Sequence, residues 1–209
     1  MPSALPVGDP VPADGSLPGS ALSQLGERTL SFYVHVPFCT VRCGYCDFNT
    51  YTAEELGPGA SRTSYAASAV ADVARARAVL GSGAPPVSTV FVGGGTPTLL
   101  SPDDLGSVLS AVESGFGLAP DAEVTTESNP DSVTLADLEA LRAAGFNRIS
   151  FGMQSAVPHV LEVLERTHDP DRVPQVVAWA RQAGFEQVSL DLIYGTPGES
   201  LHDWATSVD

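Results

Sequence analysis

The sequence contains no lysine, and all ten of its basic residues are arginines. That absence excludes a P-loop lysine, a pyridoxal Schiff base and a lysine general base from this chain. Positive charge of any kind is scarce: ten basic residues face 25 acidic ones, for a net charge of -15 and a pI near 4.4. A surface so charged repels phosphate backbones and anionic lipid, so nucleic-acid or membrane-surface binding is disfavoured as a main role. Long apolar runs are also missing. No window approaches the roughly 20 apolar residues of a membrane span, and the N-terminus lacks the basic start and apolar core of a secretory signal. The expected compartment is a reducing cytoplasm, where thiols persist as ligands.

Cysteine is limited to three residues, Cys39, Cys43 and Cys46, all within Tyr33 to Asn49. An odd, clustered set with the spacing C-x3-C-x2-C suits a metal centre better than a disulfide framework. Three thiolates satisfy three irons of a four-iron cluster and leave the fourth open to a small chelator. The rival reading is zinc on the three cysteines plus His35 or Asp47, although structural zinc sites favour separated C-x2-C pairs.

Residues 1–30 carry five prolines among Gly, Ser and Ala and are expected to form a flexible leader. From Ser31 onward the pattern predicts one folded unit, residues 31–209, of alternating strands and helices. The expected strands are Ser31–Val36, Thr89–Val92, Glu123–Glu127, Arg148–Gln154 and Gln187–Tyr194. Between them lie helices at about Thr63–Leu80, from Pro102 with an apolar face of Leu105, Val108, Leu109, Val112 and Phe116, and after Thr134 burying Leu135, Leu138 and Leu141. A helical turn around Leu161–Leu164 precedes a helix opened by Pro170, with Val173, Val176, Val177 and Ala180 inward. Strands too apolar to have a wet face imply a parallel α/β sheet covered by helices. The final LHDWATSVD resembles a helix cut off in its first turns, so the chain is expected to be a fragment whose sheet leaves one unpaired edge.

Reactive groups of parallel α/β folds gather at the carboxyl ends of strands. Those ends are the cysteine loop, Gly93–Gly95, Glu127, Gln154, and Asp191 with Tyr194. Plainer readings compete at each. The glycines could be a strand-to-helix turn, Glu127 and Asp191 solvated carboxylates, Gln154 a hydrogen-bond partner, and Arg166 a complement to a helix dipole. His35 is expected to be buried and hydrogen-bonded, Trp179 core or near-core, and His159 and His202 surface residues; His168 receives no chemistry.

The ordered motifs C-x3-C-x2-C, GGGTPT, an acidic strand end, ISFGMQS and DLIYGTPGES resemble the radical S-adenosylmethionine superfamily from Ser31 to the end of the chain. More narrowly they resemble the branch holding oxygen-independent coproporphyrinogen III dehydrogenase and the HemW-type heme chaperone. The resemblance implies a partial, open parallel (β/α) barrel truncated after about five strands, with 31–209 an incomplete core domain. It implies a [4Fe-4S] cluster on Cys39, Cys43 and Cys46, and S-adenosylmethionine contacted by Tyr33, Tyr45, Gly94, Gly95, Thr96, Glu127, Gln154, Arg166 and Asp191. His168 matches part of an R-T-H segment. The dehydrogenase branch carries a further cysteine two residues after the third, where this chain has Phe48. The form Cys-Asp-Phe-Asn resembles the chaperone branch, which implies heme as cargo, an acceptor protein and a reductant protein. The alternative is radical decarboxylation of coproporphyrinogen III propionates.

Overall fold

Apolar residues at every second position build five strands, and the residues between them decide the two faces of one sheet. The computed structural model describes residues 12–52, 55 and 61–209. Its strands are β1 (Leu30–Val36), β2 (Val87–Gly94), β3 (Leu118–Ser128), β4 (Arg148–Gln154) and β5 (Gln187–Leu192), all parallel and in the spatial order β1-β2-β3-β4-β5. Spatial order that follows chain order means each crossover advances in the same direction, as in a (β/α) barrel, and not around a switch point as in a doubly wound sheet. The result is an open parallel β/α sheet.

The crossovers carry α1 (Arg62–Leu80), α2 (Pro102–Phe116), α3 (Leu135–Ala143), α4 (Pro158–Val163) and α5 (Arg172–Gln182); α6 (Leu201–Val208) follows β5. Helices α1 and α2, α2 and α3, and α3 and α5 touch in sequence, forming one layer over the sheet. Val34, Val36, Val90, Val92, Val124, Ile149 and Phe151 on the sheet meet Leu105, Val108, Leu109, Val112, Leu138, Leu141, Val176 and Ala180 from the helices in one core. Phe146, Phe151 and Phe185 are fully buried there, each worth about 1.5–3 kcal/mol relative to an exposed position.

Several expectations change. The opposite face is not dry: Ser31, Tyr33, Thr89, Glu123, Glu127, Arg148, Ser189 and Asp191 alternate with the core residues along the strands and are only partly covered or exposed. Runs that look uniformly apolar in sequence conceal this second, polar face. Among the described residues the sheet has two unpaired edges, β1 and β5, where one was expected. Strand β5 stops at Leu192, because Ile193 makes a last backbone bond to Gln154 and the chain then turns, leaving Tyr194 79% exposed against the Trp204 ring. Leu135 and Val177 are half-buried. The first eleven leader residues lie outside the described residues. From Pro12 to Thr29 the chain forms one helical turn, Gly19–Leu22, and is almost wholly exposed.

Candidate cofactor site

The cysteine loop leaves the carboxyl end of β1 and returns on itself. Tyr51 N–H donates to the Pro37 carbonyl (2.8 Å) and Cys39 N–H to the Tyr51 carbonyl (3.0 Å). The turn after β2 then grips it from beside: Gly95 N–H donates to Val36 O (2.8 Å) and Thr96 N–H to Phe38 O (2.7 Å). Such close approach requires glycine. A Cβ on Gly95 would lie 2.5 Å from the Phe38 carbonyl oxygen and 3.0 Å from Cys39 Sγ, and Gly94, at φ +115°, would drive one into the His35 ring. The three cysteines are half-buried and reduced. Burial raises the Cys39 thiol above its ordinary range, partly offset by the Thr50 hydroxyl, which also lies 3.9 Å from Cys46 Sγ.

His35 is occupied on both sides. Its Nε2 lies 2.8 Å from the Asn49 carbonyl oxygen, which can only accept, so Nε2 carries the proton; Nδ1 then accepts from the Tyr33 hydroxyl at 2.9 Å. This half-buried histidine ties β1 to the far end of the cysteine loop and has no nitrogen left for a metal.

The other strand ends converge opposite. Glu127 Oε2 accepts the Gly94 N–H at 2.9 Å. Burial pushes this carboxyl above its ordinary value, the Gly94 bond opposes the rise, and the Asp191 charge reinforces it. Asp191 accepts from the Ser150 hydroxyl at 3.0 Å. Gln154 ends β4 in the left-handed region, φ 64°, with its amide folded over Gly152. Arg166 Nη2 donates to Gly152 O (2.8 Å) and its Nη1 approaches Cys43 Sγ at 3.4 Å, while its Nε is buried without a partner. Burial raises the Tyr45 phenol, against the pull of the Arg166 charge.

A cleft of about 370 Å³ joins these groups, within the range of small-molecule sites. All three cysteines line it, as do Tyr45, Gly94, Gly95, Thr96, Glu127, Gln154, Arg166 and Asp191. Tyr33 does not: it lies on the polar sheet face, 60% exposed, stacked on Phe91 at 6.1 Å. Sequence reasoning passed over Thr50, Gly152 and Glu165. The glycine inside strand ISFGMQ signals a close approach; nothing in the sequence marks Glu165.

Among the described residues no three His, Cys, Asp or Glu side chains are gathered to hold a single metal ion. A four-iron cluster instead takes its thiolates one per iron, so its donors belong around a cavity. Three reduced thiols on one cleft, a glycine turn where a Cβ on Gly95 would lie 3.0 Å from Cys39 Sγ, and an Arg166 side chain that lines the same cleft with its buried Nε–H unpartnered fit a cluster with an anionic chelator.

A family model described as the Radical SAM superfamily matches residues 33–209. Among curated proteins, the heme chaperone HemW of Mycobacterium tuberculosis is 49% identical over 193 residues, covering 92% of this chain and 48% of that protein. Radical S-adenosyl methionine domain-containing protein 1, mitochondrial, of Bos taurus is 39% identical over 180 residues, covering 86% of this chain and 39% of that protein. Among solved structures, coproporphyrinogen III oxidase (HemN) from Escherichia coli, described as a Radical SAM enzyme, superposes with a TM-score of 0.79 at 30% identity, covering 90% of this chain and 42% of that one. The chain thus spans about half or less of the length of the proteins it matches.

Proposed function

Because the chain belongs to the Radical SAM superfamily, we propose that its cleft holds a [4Fe-4S] cluster on Cys39, Cys43 and Cys46 together with S-adenosylmethionine, and that the protein is a heme chaperone delivering heme to an acceptor protein. When bound, the cluster supplies a coordination position for the amino and carboxylate groups of S-adenosylmethionine and a low-potential electron.

The chain's own residues prepare the site. The three cysteines offer thiolates from one loop, and the Gly95 and Thr96 amides tie the end of β1 and the start of that loop to the turn after β2. Arg166 lines the cleft with a guanidinium suited to a carboxylate, its buried Nε–H being without a partner. Glu127, Gln154 and Asp191 place acceptors and an amide at neighbouring strand ends, suited to ammonium and hydroxyl groups. Tyr33 is part of the proposal only through His35, which it orients.

The observation that carries the reading is the convergence of three thiols and the Arg166 side chain on one cleft. Phe48 supports the chaperone branch: it lines the cleft where the dehydrogenase branch has a fourth thiol. The similarity to HemN favours the second reading, an oxygen-independent coproporphyrinogen III dehydrogenase. A reductant protein and a cytoplasmic location belong to the proposal; no helix among the described residues is long and apolar enough to cross a membrane. To test the reading, the full-length protein is reconstituted anaerobically and given heme, then separately coproporphyrinogen III with S-adenosylmethionine and reductant. Stoichiometric heme binding without protoporphyrinogen is expected. Turnover to protoporphyrinogen overturns the chaperone, and the absence of a reducible electron paramagnetic resonance signal overturns the cluster.

A further inference from the structure

Helix α4 ends in a Schellman motif: Arg166 N–H donates to Leu161 O at 2.9 Å and Glu165 N–H to Glu162 O at 3.0 Å. The residue at the left-handed position of this motif is normally glycine. Here it is Glu165, at φ 54°, and a non-glycine residue held there is strained. The strain places a side chain. Glu165 folds against the cysteine loop at Gly44, where an added Cβ would lie 3.0 Å from Glu165 Cδ and 3.3 Å from Oε1. The same turn reaches the loop twice more, through Leu164 O, which accepts the Gly44 N–H at 3.2 Å, and through Arg166 Nη1 at 3.4 Å from Cys43 Sγ.

The Cys43–Gly44 turn is therefore held between a carboxylate and a guanidinium supplied by consecutive residues, both on the cleft wall. We propose that Glu165 and Arg166 are positioning residues of opposite electrical effect, which fix this turn and set the reduction potential of a cluster bound through Cys43. This rests on the cluster reading above. Reduction adds negative charge to the cluster, and hydrogen bonds to its sulfurs and nearby net charge tune the potential. Arg166 stabilises the reduced state and raises the potential; Glu165 opposes reduction and lowers it. Glu165 is exposed to solvent, so salt screens its effect more than that of Arg166.

The test is redox titration of the anaerobically reconstituted chain, without S-adenosylmethionine, followed by electron paramagnetic resonance. Glu165→Gln is expected to raise the midpoint and Arg166→Gln to lower it. At a fixed potential each changes the ratio of reduced to oxidised cluster severalfold; tenfold corresponds to about 59 mV for a one-electron couple. Glu165→Gly shifts the midpoint as Glu165→Gln does while raising the melting temperature, because it relieves the backbone. Should Arg166→Gln fail to fold, the two Glu165 variants decide. Clusters present in every variant with midpoints unchanged, or shifted in one common direction, overturn the inference. Wild-type protein that takes up no cluster overturns the underlying reading and this inference with it.

Discussion

Individual residues of this chain are placed by steric and electrical demands that their neighbours set. Gly95 is glycine because the Phe38 carbonyl and Cys39 sulfur occupy the space a Cβ would need. His35, a metal candidate from sequence, has both nitrogens taken by Tyr33 and Asn49. Trp179, expected at or near the core, is half-buried beneath the Arg172 guanidinium at 5.0 Å. His159 is exposed and pairs with Asp203 at 3.4 Å, and His202 is exposed. His168 is 4% exposed, and burial, with the Arg166 charge, lowers its pKa below the ordinary 6.5. In the unfolded chain His168 takes up its proton near 6.5, before the folded protein does. Its contribution is absent at higher pH and destabilising as pH falls through 6.5 towards the lowered value. Replacing it with a group that does not titrate, His168→Gln, is expected to flatten this loss. The difference in unfolding free energy between wild type and variant, measured by urea denaturation from about pH 7 to about pH 5, should move against wild type as pH falls; a constant difference would refute the assignment.

At the scale of elements, local chemistry is strong where helices begin. Ser101 caps α2 through the Asp104 N–H, and all five residues of the expected apolar face, from Leu105 to Phe116, are buried. Thr134 and Ser200 form reciprocal capping boxes with Asp137 and Asp203. Thr134→Ala removes the cap of α3, whose Leu138 and Leu141 pack into the core. It is expected to cost about 1 kcal/mol of stability, read as a lower urea midpoint at unchanged slope. Strand limits are less local. β3 begins at Leu118, well before the expected Glu123, and runs through Pro120. The missing amide is tolerated because β3 pairs with β4 only from Thr125 to Ser128 and its register to β2 shifts between Leu118 and Glu123.

For the whole molecule, the sheet ends decide behaviour. Among the described residues β1 and β5 are the edge strands, each with an unpaired row of backbone groups, and β5 is the more exposed strand, with Leu190 40% accessible and Leu201 89% just beyond it. Such an edge is a template for strand addition. The net charge of -15 opposes association between copies, so edge pairing should strengthen as salt screens that repulsion. Leu190→Lys is expected to reduce concentration-dependent association in light scattering at high salt. Equal association of variant and wild type would place the contact elsewhere.

The sequence by itself determined the alternation of strands and helices, the caps, the apolar helix faces and the strand ends that carry polar residues, because each depends on side chains within a few positions of one another. The three thiols and their spacing are equally local. Only the tertiary structure decided that the sheet has a polar face, because strands from distant segments had to be set side by side before their second face existed. It also decided which strand-end groups share the cleft with the cysteines, leaving Tyr33 outside and bringing in Thr50, Gly152 and Glu165. Glu165 shows the reason most directly: it lies 121 positions beyond Gly44, and its left-handed backbone and its contact with the cysteine loop exist only once α4 has packed against that loop.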